Sequence, residues 1–148
     1  MRSALLLPLA LALAGCGPKT DALEDYGTRL VTLPAGEQVR VEVMTDPRDM
    51  ARGMMFRDSL APNRGMLFLH QKAGLYPYWM HQVRIPLDMI WMDPDRRVVE
   101  IVANAQPCRT EPGQCPTYGG HFRAQSVLEL AGGMAAKYGI RTGDRLEF

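Results

Sequence analysis

Alternating polar and apolar side chains predict the first strand of this chain. Residues 38–43 carry polar side chains at the even positions and valine at the odd positions, a pattern typical of a strand buried on one face. Apolar runs bounded by Pro, Gly and Asp predict further strands at residues 66–69, 76–80, 85–92, 98–102, 126–130 and 145–148. Because Pro86 has no backbone N–H, its strand should lie at an edge or contain a bulge.

Two short helices are predicted between these strands. Asp46 can cap the first helix and Pro47 suits its first turn, so this helix should run to about Met55. The second should cover residues 131–138 and end at Gly139. The expected fold is a monomeric α+β domain over residues 28–148. It should be β-dominated, a small curled antiparallel or mixed sheet or barrel with one or two short helices.

The first fifteen residues have the pattern of a bacterial lipoprotein signal peptide. Arg2 gives the positive start, residues 5–13 give the apolar core, and small residues precede Cys16. The apolar run is too short to span a bilayer, which takes about 20 residues. Cleavage would leave Cys16 as an acylated N-terminus, and residues 16–27 would then form a tether. We expect an exported lipoprotein anchored in the membrane. Gly17 favours the periplasmic face of the outer membrane in a Gram-negative cell.

The charge balance argues against nucleic-acid binding. The chain has 17 Lys and Arg against 16 Asp and Glu, and removal of the signal peptide takes away only Arg2 among the charged residues. The longest basic run is the pair Arg96 and Arg97. A nucleic-acid surface requires a much denser positive charge. We therefore expect no nucleic-acid partner for the near-neutral mature chain.

The other two cysteines favour a disulfide. Cys108 and Cys115 lie in one loop rich in Pro and Gly, and export would place them in an oxidising compartment. A bridge across so short a loop stabilises by about 2.5 kcal/mol in the chain-entropy model. Metal binding or a redox role is the less favoured alternative, because the spacing does not match the usual zinc-ligand patterns. No metal or cofactor is expected.

Several motifs together resemble the DUF192 family, over roughly residues 38–148. They lie at residues 52–57, 65–68, 79–80, 85–93, 118, 127–130 and 132. The resemblance implies a small, often exported, β-rich domain whose biochemical activity is not established. The family usually has a basic residue and then Asn-Thr after its Trp-Met. Here the chain reads His81, Gln82 and Val83, which keeps an amide but loses the hydroxyl.

Asp88 and His81 are the candidates for chemistry. Asp88 should face away from its neighbours Leu87 and Met89 in a strand. It could lie in a pocket with Trp79, His81 and Arg57, or pair with Arg57 or Arg84 to fix the strand register, and we favour the structural role. The pKa of a histidine lies near neutrality, so His81 suits acid–base work, although a packed or solvated role is more common.

Methionines and aromatic residues each allow two interpretations. Clustered thioethers suit copper(I), but methionine is also a flexible filler of small cores, and we favour core packing. The grouped methionines are Met50, Met54, Met55, Met66, Met80, Met89 and Met92. The aromatic side chains Tyr76, Tyr78, Trp79 and Tyr118 could line a small-molecule pocket or fill the core.

Three functional classes follow from these candidates. The leading one is a non-catalytic envelope module that binds a small ligand or an envelope protein. Its candidate binding residues are Arg57, Trp79, Met80, His81, Asp88 and Tyr118. The second is an enzyme with His81 and Asp88 as acid–base groups, which requires that both converge in one cleft. The third is a copper(I)-handling lipoprotein that uses the methionines.

Overall fold

The structure, a computed structural model, describes residues 27–148. The predicted signal peptide, Cys16 and nearly all of the predicted tether lie outside the described residues. Eight strands are formed: β1 (Thr28–Thr32), β2 (Gln38–Met44), β3 (Arg64–Gly74), β4 (Tyr78–Trp79), β5 (Leu87–Met92), β6 (Val98–Ala105), β7 (Thr117–Tyr118) and β8 (Ala124–Ala131). The helices are α1 (Pro47–Arg52) and α2 (Met134–Lys137), with one turn of 3₁₀ helix at Pro112–Gln114.

Six strands form one mixed sheet in the order β1-β2-β3-β8-β5-β6. Only β2 and β3 are parallel, and α1 lies in the connection between them. The expectation of an α+β, β-dominated fold is confirmed, and the sheet is not closed into a barrel. The C-terminal segment bridges the two edges of the sheet at one end. Glu147 N donates to Thr32 O at 3.1 Å, and Leu146 N donates to Arg96 O at 3.1 Å.

Some predicted boundaries were wrong. The last predicted strand, 145–148, forms only isolated bridges, because it meets the two sheet edges at single points. The helix predicted to run to Met55 ends at Arg52, since Gly53 has a φ of 45° and leaves the helical region. The strand predicted at 76–80 is reduced to Tyr78–Trp79, which pairs with β7.

Apolar side chains form a cluster on each face of the sheet. One cluster packs against α2 and includes Val41, Leu67, Leu128 and Leu130. The other packs against α1 and the β4–β7 pair and includes Phe68, Trp91 and five buried methionines. Central strand β5 is buried on both faces, and its residues alternate between the two clusters.

Cys108 and Cys115 form a disulfide, as the sequence predicts. Cys108 N donates to Met80 O at 3.1 Å, and Gln82 N donates to Cys108 O at 3.3 Å. The loop closed by the bridge therefore holds both sides of His81. It also leads into β7, so the same loop supports β4.

Candidate functional site

A cleft of about 520 Å³ lies between α1, the second half of β3 and β4; we name it the α1 cleft. Most of its surface is apolar, and its walls include Pro47, Met50, His70, Pro77, Tyr78 and Trp79. Small-molecule sites are usually concave, mostly apolar and of about 300–1,000 Å³. The α1 cleft has these properties.

Local sequence features build the walls of the α1 cleft. The Asp46 side chain accepts from Arg48 N at 2.8 Å and caps α1, and Pro47 occupies the first turn, so the helix starts directly after β2. The pairing of β3 with β8 becomes irregular after Leu69, which separates the outer part of β3 from its partner strand. That outer part contributes His70 to the cleft.

His70 and Tyr78 form a hydrogen-bonded pair in the cleft wall. His70 Nε2 lies 3.2 Å from Tyr78 Oη, and the imidazole stacks on Tyr76 with ring centroids 3.5 Å apart. Burial lowers the pKa of His70 below its usual value. Burial, together with Glu129 and Tyr76, raises the pKa of the Tyr78 phenol. Both side chains are therefore neutral at neutral pH.

A buried polar cluster lies on the same face of the sheet. Arg57 makes two hydrogen bonds to Glu42, with Arg57 Nη2 2.6 Å from Glu42 Oε2. Glu42, Met66 and Glu129 lie side by side on β2, β3 and β8. Among the described residues, Glu129 Oε2 has no hydrogen-bond partner. Burial raises the pKa of Glu129 to about 8, and Arg57 opposes part of that rise.

Asp88 lies away from the other candidates. It has no exposed surface and accepts from the backbone amides of Asn104 at 2.7 Å, Gly133 at 3.0 Å and Ala135 at 2.7 Å. Its neighbours Leu87 and Met89 belong to the opposite cluster, so the predicted alternation is confirmed. The predicted arginine pairing of Asp88 was wrong, because amides of the β6 and α2 regions surround the carboxylate. Its contacts are those of a structural group.

The two arginines that were predicted as partners of Asp88 pair with other carboxylates. Arg57 pairs with Glu42 on β2, and Arg84 Nη1 lies 2.8 Å from Asp58 Oδ1 at the surface. The predicted pocket that combined Asp88 with Trp79, His81 and Arg57 is therefore not assembled. Asp88 packs below α2, whereas the other three residues lie on the α1 side of the sheet.

Trp79, Met80, His81 and Tyr118 lie close together around the β4–β7 pair. Trp79 is 40% exposed and lines the α1 cleft, with its ring centroid 5.0 Å from that of His81. Met80 is fully buried, and Tyr118 pairs with Tyr78 across the two strands. Because Asp88 does not reach this region, His81 and Asp88 do not converge in one cleft as the enzyme hypothesis requires.

The methionines lie mostly in the core. Five of them are 0–1% exposed in the cluster that packs against α1: Met44, Met54, Met66, Met80 and Met89. This burial favours core packing over copper(I) binding. Across residues 27–148, no group of three or more His, Cys, Asp or Glu side chains could hold a metal ion. In the same range, no helix is long and apolar enough to cross a membrane.

Three residues on the α1 side of the sheet were not predicted as site residues from the sequence: Glu42, His70 and Glu129. Glu129 carried a usable signal, because a single carboxylate stands between Leu128 and Leu130 in a strand that is otherwise buried. The pattern assigned Glu42 to the polar, solvated face of β2, whereas both faces of that strand are covered near its end. His70 showed no signal, since its stacking with Tyr76 depends on the course of the chain after β3.

Comparison with known proteins identifies the family. The profile of DUF192, described as an uncharacterized ACR, matches residues 30–148. The chain belongs to the DUF192 family. Its fold is similar to the crystal structure of a protein of unknown function from Novosphingobium aromaticivorans, with a TM-score of 0.76 and 32% identity over 89% of this chain and 93% of that one.

A second solved structure is similar over almost its whole length. It comes from Sinorhizobium meliloti, its description proposes a transcription regulator, and it has a TM-score of 0.75 and 30% identity over 82% of this chain and 94% of that one. No curated protein matches the chain. The family resemblance read from the motifs is thus confirmed, and the family is uncharacterised.

Proposed function

We propose that this DUF192 protein is an envelope lipoprotein whose domain binds a small ligand in the α1 cleft. The observation that carries the proposal is the cleft itself. It is concave, mostly apolar, and has the partly exposed Trp79 in its wall beside the His70–Tyr78 pair. Aromatic rings with a few placed polar groups are the usual composition of a ligand site.

Binding without catalysis is favoured by the chemistry of the cleft wall. Among the described residues that line the cleft, none is Asp, Glu, Lys, Arg, Ser or Cys. His70 is the only histidine of this described wall, and it is held by its stacking on Tyr76 and its hydrogen bond to Tyr78. A catalytic centre usually combines several groups of different acidity, as in a nucleophile with its base.

A ligand panel with matched variants tests this proposal. Sugars, peptides, envelope metabolites and small aromatic compounds are screened by thermal shift on the purified full chain. A ligand at a hundred times its Kd stabilises by about 2.7 kcal/mol, which moves Tm by several degrees. We expect Trp79→Ala to abolish the shift and to retain the fold.

Phe122→Ala is the matched control, because Phe122 is 57% exposed and does not line the cleft. It should leave the shift unchanged. A shift that survives in Trp79→Ala would place the ligand elsewhere. The absence of any shift across the panel would count against a small ligand. It would favour a protein partner that binds the exposed side chains of Trp79 and Phe56, and cross-linking in cells would then be the next measurement.

The lipoprotein assignment is supported by the sequence pattern that ends at Cys16. The acyl chains would hold the protein at the membrane, and residues 16–27 would separate the chains from the domain. Such an arrangement would hold the α1 cleft in the cell envelope, on the periplasmic face of the outer membrane in a Gram-negative cell.

A further inference from the structure

The α1 cleft offers hydrogen-bonding groups but no charge. The polar side chains in its wall are Thr45, His70, Gln71 and Tyr78. His70 is neutral because burial lowers its pKa, and the Tyr78 phenol keeps its proton because burial raises its pKa. A charged ligand would lose its hydration on entering and find no opposite charge in the described wall.

The His70–Tyr78 pair leaves hydrogen-bonding capacity free for a ligand. If the phenol donates to His70 Nε2, the Nδ1–H of His70 remains a donor and Tyr78 Oη remains an acceptor. If Nε2–H donates to Tyr78 Oη instead, Nδ1 remains an acceptor and the phenol remains a donor. Either tautomer leaves one donor and at least one acceptor, so the pair matches a group that both donates and accepts.

We infer that the α1 cleft selects uncharged ligands with an apolar body and a hydroxyl group, and that His70 and Tyr78 form hydrogen bonds with this hydroxyl. The inference rests on the proposed binding function and narrows its ligand class. Met50, Pro77 and Trp79 contact the apolar body, and the histidine–tyrosine pair contacts the hydroxyl. The geometry of the pair is fixed in advance, since His70 stacks on Tyr76 and the Tyr78 ring packs edge-on against Phe68 and Trp91.

The test uses sets of small probes that share one body and differ in one group. Each of three bodies, para-methylbenzyl, cyclohexylmethyl and indolylmethyl, is presented as the alcohol, the methyl hydrocarbon, the carboxylate and the ammonium. Affinity is measured on the purified full chain by calorimetric titration, with NMR of the His70 ring as the second readout.

We expect the alcohol of at least one set to bind best. The hydrocarbon should bind roughly two- to tenfold more weakly, the difference that one neutral hydrogen bond makes. Both ions should bind more weakly than the alcohol by about tenfold or more, because their charge is not compensated. If an ion binds as well as its alcohol or better, the inference fails and the proposed ligand site stands. If no member of any set binds, the proposed site and the inference both fail.

Variants of the pair give the second arm of the test. Tyr78→Phe keeps the ring that packs against Phe68 and removes the hydroxyl, and His70→Phe keeps the stacking on Tyr76 and removes the imidazole. Each should lower the affinity for the alcohol to that for the hydrocarbon and leave the hydrocarbon unchanged. If both variants prefer the alcohol over the hydrocarbon as strongly as the unchanged chain does, His70 and Tyr78 do not bind the hydroxyl.

Tyr138→Phe is the matched control for Tyr78→Phe. The Tyr138 hydroxyl donates to Pro62 O at 2.9 Å and is remote from the cleft wall. This variant loses one phenol hydrogen bond as well, so it reports the general effect of that loss. It should bind all four probes of each set as the unchanged chain does.

Discussion

Asp88 connects three segments of the chain through backbone amides, and its carboxylate has no contact with water. Asparagine would present an N–H₂ group to at least one of the amides of Asn104, Gly133 and Ala135, which would leave a buried donor without an acceptor. We predict that Asp88→Asn lowers the free energy of unfolding by about 2–3 kcal/mol. Urea denaturation measures the change.

Asp58→Asn is the control for that prediction. The Asp58 side chain is 80% exposed and pairs with Arg84 at the surface, so this variant should change stability by less than about 1 kcal/mol. Ligand binding in the α1 cleft should be the same in both variants, since Asp88 lies on the other face of the sheet. A stable Asp88→Asn variant that has lost binding would instead make Asp88 part of the site.

Glu129 makes stability depend on pH. Its pKa rises from an ordinary value of 4.5 to about 8 in the folded protein, because burial penalises the carboxylate. Between these values the folded chain holds a proton that the unfolded chain has lost, so this group's contribution to stability falls as the pH rises. Glu129→Gln is neutral at every pH and should lack that fall.

The Tm of the unchanged chain and that of Glu129→Gln are measured at about pH 5 and about pH 9. We predict that the unchanged chain loses more stability over this interval than Glu129→Gln does. Glu147→Gln controls for the removal of a carboxylate, because Glu147 is exposed. Parallel losses in the unchanged chain and Glu129→Gln would show that Glu129 is already ionised near pH 5.

At the scale of elements, the disulfide loop supports the segment that carries Trp79. Cys108 holds the backbone on both sides of His81, and β7 holds β4, so residues 78–82 depend on the loop for their position. Replacing both Cys108 and Cys115 by Ser should cost about 2.5 kcal/mol of stability. It should also make Trp79 more accessible to a fluorescence quencher such as acrylamide.

A reductant control separates the effect of losing the disulfide from the effect of the serine side chains. A phosphine reductant should destabilise the unchanged chain by the same amount and leave the double variant unaffected. An unchanged unfolding curve in reductant, with unchanged quenching of Trp79, would mean that the loop holds its position without the bridge.

Local sequence signals were sufficient to predict the elements that are determined by a few neighbouring residues. The strand at 38–43 follows from alternation, and α1 follows from Asp46 and Pro47, because each signal lies within a few residues. β1 was not predicted, since Thr28–Thr32 is a short strand directly after the segment that was assigned to the tether. The final strand was overpredicted, because pairing partners are a property of the folded sheet.

The candidate site could be predicted only in part. The sequence named Tyr78, Trp79 and Tyr118 as aromatic candidates, and the structure brings them together because β4 pairs with β7. The ion pair of Arg57 with Glu42 joins residues 15 positions apart and depends on how the chain leaves α1. Likewise, Asp88 meets Ala135 only through the order of β5, β8 and α2 in space. Neither contact is encoded by spacing along the chain.

At the scale of the whole molecule, attachment to the membrane would depend on the lipid and not on charge. The full chain carries a formal net charge of +1, and removal of Arg2 with the predicted signal peptide would bring the chain to neutrality. Basic clusters contribute about 1 kcal/mol per residue to binding an anionic surface, and this chain has no such cluster beyond Arg96 and Arg97. Acyl chains contribute about 0.8 kcal/mol per buried methylene, so two or more of them form a stable anchor.

We therefore predict that Cys16→Ser moves the protein from the membrane fraction to the aqueous fraction of a bacterial cell that expresses it. The unchanged chain should remain with the membranes in high salt, incorporate labelled palmitate, and be extracted only by detergent. The Cys108 and Cys115 double variant is the control, because it also replaces cysteine by serine but should stay at the membrane. If Cys16→Ser remained with the membranes after a salt wash, the assignment of the acyl chains on Cys16 as the anchor would be overturned.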